Sequence, residues 1–223
     1  MSSLELWQRM LPLALGAALS PLLLLGQLSQ LTGSGRRGVA LRRSLAYLLG
    51  TAVVVLAWSV AAGWIAHRLP PHQPGADPVA AAVQLLLALA LLSLALQTLR
   101  RPQPSAPAAV AADQPAGLWA SWYQGLALMA VNVTSLVLFL PAAQDVGRSG
   151  LPWSERLGAW IGLDLITLLP IWLPPLLVVL SGRSGARLLE RLGAWVARHR
   201  RAIDASVAAG FALLLGLRGL AAL

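Results

Sequence analysis

The stretch "GAALSPLLLL", residues 16–25, sets Ser20 and Pro21 in the middle of a long apolar run. Proline has no N–H, and its ring clashes with the carbonyl four residues back, so the carbonyl of Ala17 loses its helical donor. In water such a group turns to solvent. In hydrocarbon it is tolerated only where the backbone is buried in protein or lines a cavity. What Pro21 does therefore depends on what surrounds the run.

The rest of the chain answers for a membrane. Of 223 residues, 57% are hydrophobic and 11% charged, against roughly a quarter charged in a soluble domain. Six stretches approach the ~20 apolar residues that cross a bilayer: about Leu11–Leu31, Leu45–Ala66, Pro78–Leu99, Gln124–Val146, Leu157–Leu180 and Ile203–Leu223. They predict an all-α polytopic membrane protein with six transmembrane helices. The first run reads as a retained helix. Its leading segment "MSSLELWQR" pairs one acid with one arginine where a cleaved leader needs a basic segment.

The net charge of +9 is carried by arginine alone, and it gathers at the ends of apolar runs. That pattern suits lipid headgroups and topology signals, and it argues against nucleic acid as a partner. Twelve arginines follow the first, third and fifth runs: Arg36, Arg37, Arg42, Arg43, Arg100, Arg101, Arg183, Arg187, Arg191, Arg198, Arg200 and Arg201. The opposite side holds Arg9, Arg68, Arg148 and Arg156, with Arg218 inside the sixth run. Cytoplasmic loops carry the excess, so both termini are expected outside a bacterial cytoplasmic membrane. Cysteine is absent, and His67, His72 and His199 lie outside the apolar runs; no metal site or cofactor is expected. No Ser/His/Asp set, phosphate loop or ATPase motif is present, and the chain is read as a non-enzyme.

The segment 102–117, rich in Pro and Ala, reads as a flexible cytoplasmic linker. It divides residues 1–101 from 118–223, three runs in each. Within the second part, 186–201 places Leu188, Leu192, Trp195 and His199 at helical spacing, with Arg187, Arg191 and Arg198 off that stripe. This predicts an amphipathic helix on the cytoplasmic membrane surface, either a connector or an anionic-lipid site.

A shift of 112 residues superimposes the two parts: "AALSPLLLL" falls on "MAVNVTSLV", Gly50 on Gly162 and Ser20 on Asn132. Three spans is an odd number, so the second half must cross in the opposite sense to the first. The expectation is two inverted three-helix repeats, as in many secondary transporters.

With "ALSP" in the first span, an arginine-rich loop and "LAYLLGTAVVVLAW" after it, the chain resembles the lysine-exporter superfamily, and within it the GAP family that includes the sulfolipid-addressing proteins. Members show a small-residue–Ser-Pro signature in span 1 and an Asn-Pro-type signature in span 4. This chain keeps Ser20-Pro21 but has Asn132-Val133-Thr134-Ser135, without the second proline. The departure predicts an asymmetric pair, broken in span 1 and only bent in span 4. The resemblance implies export of amino acids, metal ions or envelope lipids.

The residues expected to bind substrate or ion are Ser20, Pro21, Gln27, Asn132, Thr134, Ser135 and Asp164. Ser20, Gln27 and Gln30 fall on one helix stripe, with Gln124 serving similarly in span 4. Asp164 is the one carboxylate well inside a span, where its ionised form costs about 2.5 kcal/mol or more. It reads as a proton-coupling group or the partner of a cationic substrate, or as the structural partner of a polar neighbour or of Arg218. Asp145 and Asp204, near span ends, read as solvated or helix-dipole-related. Pro170, Pro174 and Pro175 predict a kinked, mobile span 5. The expected function is a secondary transporter or exporter of the bacterial cytoplasmic membrane, for an envelope lipid or glycolipid. The alternatives are an exporter of amino-acid-like small solutes, or a non-transporting assembly factor for envelope biosynthesis. Membrane lipids, a homodimer partner or an envelope-biosynthesis protein are the expected partners.

Overall fold

A computed structural model describes residues 2–32, 37–68, 78–100 and 117–221. The expected linker 102–117 lies, but for Gly117, outside the described residues, as do Arg36, His72 and Arg101. Among the described residues helix is the only regular structure. The helices are α1 Ser3–Ala18, α2 Pro21–Thr32, α3 Arg37–Arg68, α4 Pro78–Arg100, α5 Leu118–Ala130, α6 Val133–Gly147 and α7 Trp153–Thr167. A continuous run from Leu169 to Ala221 is interrupted at Gly182 (φ 57°), a left-handed conformation that suits glycine. It divides into α8 Leu169–Gly182 and α9 Ser184–Ala221.

Three of these helices are long and apolar enough to cross a membrane by themselves: Arg37–Ala66, Ala81–Arg100 and Ser184–Ala221. The other apolar runs qualify only as pairs joined at a break: α1 with α2 (55°), α5 with α6 (67°) and α7 with α8 (70°). Counting each pair as one crossing gives up to six.

The third break falls at Leu168, ahead of all three prolines of that run. Pro170 has no N–H for the Ile166 carbonyl and its ring clashes with that group, so a helix cannot run through it unbroken and ends just upstream. Pro174 and Pro175 then lie inside α8. Ending α7 there frees the carbonyl of Leu165, and the Trp172 indole N–H donates to it at 2.9 Å.

Small residues set the closest helix crossing. A Cβ on Gly50 would lie 2.1 Å from the carbonyl oxygen of Trp122, and one on Gly125 would lie 2.2 Å from that of Tyr47. α3 and α5 therefore touch backbone to backbone, as small residues permit between membrane helices. Gly162 packs against the Trp7 ring instead. α4 lies along α9, and the Arg201 guanidinium donates to the carbonyls of Thr98 and Leu99 at the end of α4. Arg37 does the same for the end of α8, donating to Val178 at 2.5 Å and Val179 at 3.2 Å. Both complete the orphan carbonyls of a helix C-terminus with a cation.

The segment 186–201 is continuous with the helix that follows it. The 38 residues of α9 rise about 57 Å at 1.5 Å per residue, well beyond a ~30 Å hydrocarbon core. Leu189 and Val196 are buried in this segment, with Leu189 packed on Leu28 and Val178. The expected stripe of Leu188, Leu192 and Trp195 flanks this buried face and is exposed.

Candidate functional site: two helix breaks held together

The first break is built from Leu19, Ser20 and Pro21. Leu19 closes α1 with its N–H on the carbonyls of Leu15 and Gly16. Ser20 caps α2, its Oγ accepting from the Leu23 N–H at 3.4 Å, and Pro21 takes the first helical position, where a missing N–H costs nothing. The carbonyl of Ala17, deprived of its donor by Pro21, receives the Ser135 hydroxyl of α6 at 2.6 Å. The donor missing in one broken run is thus supplied by the other.

The second break has no proline. Val131 (φ −89°, ψ 0°) ends α5. Asn132 (φ −81°, ψ 76°) leaves the helical region and caps α6, with Oδ1 accepting from the Ser135 N–H at 3.4 Å. Asparagine offers the backbone a side-chain acceptor in place of the helical carbonyl. Span 4 is therefore broken, by 67°, where the lack of proline led to the expectation of a bend. The Asn132 amide donates both its protons, to Ser20 Oγ at 2.9 Å and to Ser135 Oγ at 2.8 Å. Ser20 and Asn132, 112 residues apart, are thus in direct contact.

Ser20, Asn132 and Ser135 retain 8%, 7% and 1% of their exposure. Thr134 is half-buried and joins none of these bonds. Asp164 stands apart: its Oδ1 accepts from the Ser59 hydroxyl of α3 at 2.6 Å, whereas Arg218 donates to the Arg9 carbonyl from both terminal nitrogens at 3.2 Å. Of the structural partners open to Asp164, the polar neighbour is the one found. Asp145, for which a solvated or helix-dipole role was expected, is not solvated: it is buried, as are Arg148 and Ser149, at the end of α6.

Below the first break, α2 carries a ladder of buried polar contacts. The Tyr47 hydroxyl donates to the Leu23 carbonyl at 3.2 Å. Gln27 Nε2 donates to Ser44 Oγ at 2.6 Å. Gln30 Nε2 donates to Gln124 Oε1 at 2.8 Å, and Ser121 Oγ donates to Gln30 Oε1 at 2.9 Å. Gln27, Ser44, Tyr47 and Ser121 are fully buried. The stripe of Ser20, Gln27 and Gln30 exists, and Gln124 meets it. Ser44, Tyr47 and Ser121 were not anticipated, although their three-residue spacing (Ser44 to Tyr47, Ser121 to Gln124) marks shared helix faces.

A family model described as Sap, sulfolipid-1-addressing protein, matches residues 10–221. The chain belongs to this family. The match spans both breaks and the whole ladder, so the paired site lies within the matched region. No curated protein and no solved structure matches the chain.

Chemically, the paired breaks form a neutral hydrogen-bonding centre. It contains an amide, two hydroxyls and a freed backbone carbonyl, all mutually satisfied. Such a centre can exchange its internal bonds for bonds to a polar solute.

Proposed function

We propose that this chain is a secondary exporter in the bacterial cytoplasmic membrane that moves an envelope lipid or glycolipid outward. The family's description by a sulfolipid-addressing protein supports a lipid cargo. The observation that carries the reading is the Asn132–Ser20 bond at 2.9 Å, which joins two broken apolar runs through buried polar groups. Discontinuous helices that meet near mid-membrane are how many secondary transporters build a site between inverted repeats. On this reading the chain makes six crossings as two inverted halves, as in the lysine-exporter superfamily. The arginine excess puts both termini outside. Ser20, Asn132 and Ser135 with Pro21 form the binding centre, and Thr134 lies beside it. Asp164 on Ser59 is the coupling or orienting group.

The test is lipid movement in proteoliposomes containing the full chain. Asn132→Ala and Asp164→Asn should each slow it; if both variants transport like the unmodified protein, the exporter reading is wrong.

A second reading, a non-transporting assembly factor, is favoured by the exposed Leu188, Leu192 and Trp195 of α9. Under it, Leu188→Ser with Trp195→Ser abolishes function in cells, while Asn132→Ala leaves it intact.

A further inference from the structure

Among the described residues, three buried side-chain oxygens have no hydrogen-bond partner: Gln27 Oε1, Gln84 Oε1 and Thr167 Oγ1. Gln27 alone of these belongs to a polar network. Its amide nitrogen is engaged by Ser44, the Gln30–Gln124–Ser121 group lies one turn further along α2, and its own exposure is zero. Turning the amide over would satisfy the oxygen on the Ser44 hydroxyl and orphan the nitrogen, so one polar atom is short of a partner either way. Leaving such a group unpaired is unfavourable, and a membrane interior offers no solvent to relieve it.

The chemistry of the network limits what could complete it. Every member is neutral. Within the network a cation would find one free oxygen, and an anionic sulfo group no positive side chain; an unpaired buried charge is strongly unfavourable. A hydroxyl group, donor and acceptor at once, matches amides and serines on both counts.

We propose that Gln27, Ser44, Gln30, Gln124 and Ser121 form a binding track for the hydroxyl groups of a sugar-bearing lipid headgroup, with Gln27 as its open position. The inference rests on the exporter reading and adds the part of the cargo that is recognised. The hydroxyls exchange, bond for bond, with the Gln27–Ser44 and Gln30–Gln124 contacts that now close α2 onto α3 and α5. The break at Leu19–Ser20 lets α2 part from them without unwinding α1.

The test uses the full chain with two lipids of equal acyl chains, a glucosyl diacylglycerol and a phosphatidylcholine. It reads both transbilayer movement in proteoliposomes and selective retention by native mass spectrometry. The unmodified protein should move and retain the glucosyl lipid preferentially. Gln27→Leu should lower that preference about tenfold, as expected for one lost buried hydrogen bond, with phosphatidylcholine handled as before. Gln124→Met repeats the test at the far end of the track where Gln27→Leu does not fold. If the preference is unchanged in the variants, or absent from the unmodified protein, the track proposal is overturned and the open position holds a structural water only. If selective retention is present and lost in Gln27→Leu while neither lipid moves, the track stands and the exporter reading falls.

Discussion

α2 and α6 both leave a break, and the two breaks sit 112 residues apart in the chain, yet the helices lead into opposite surroundings. Along α2 the inward positions are Gln27 and Gln30, facing Ser44, Tyr47, Ser121 and Gln124. The positions 112 residues on are Phe139 and Ala142, and the counterpart of Tyr47 is Ala159, all buried and apolar. Phe139 stacks at a tilt on Trp58, ring centroids 5.8 Å apart. The lesson is that similar backbone geometry does not fix polarity. One side of the paired site continues as a hydrogen-bonded lane and the other is stoppered by an aromatic pair.

The comparison is broken most severely at the aromatic side. Phe139→Ala should cost about 3–5 kcal/mol, the usual result of emptying a packed aromatic site. It should appear as the largest loss of thermal stability in detergent, and a loss under 1 kcal/mol would mean that the stopper is loosely packed. Next comes the wall of the polar lane. Gly50→Ala drives a methyl into the Trp122 carbonyl, and overpacking against backbone should cost roughly 2–3 kcal/mol. Its counterpart Gly162→Ala meets the end of the Trp7 ring, which can turn away, and should cost under about 1 kcal/mol. Equal melting shifts for the two glycine variants would erase that distinction between the halves.

Asn132→Ala removes three hydrogen bonds at once. The bond to Ser20 joins two helices, worth ~0.6 kcal/mol, and the α6 cap on Ser135 adds about 1 kcal/mol, so a loss near 2 kcal/mol is expected in the same melt. The smallest effect is the most specific. A double-mutant cycle of Ser20→Ala with Asn132→Ala should give a coupling of about 0.6 kcal/mol, and zero coupling would show that the Asn132–Ser20 contact does not hold the breaks together.

The unbroken spans were legible because a continuous apolar run needs no partner to be recognised. The first break was legible because Pro21 removes a donor whatever surrounds it. The second was not, because Asn132 breaks a helix by offering an alternative bond. That bond forms only when Ser135 and Ser20 are in place to use the rest of the amide. The ladder was half legible. Gln27 and Gln30 stand out inside an apolar run, whereas Ser44 lies just before the run that begins at Leu45, among arginines. Hydropathy trimmed it from the span, although α3 starts at Arg37. Asp164 was read as one of a set, but it bonds to Ser59, a serine that nothing in the sequence distinguishes from others.

The Asn132–Ser20 bond carries a geometric consequence. In two halves related by a twofold rotation, most contacts come in pairs: one residue touches a second, and the image of the first touches the image of the second. A residue can touch its own image only on the rotation axis itself. If the inverted halves obey such an operator, Ser20 and Asn132 straddle it. The Ser20–Asn132 contact is then its own image, and breaking it removes a bond that has no second copy elsewhere in the molecule.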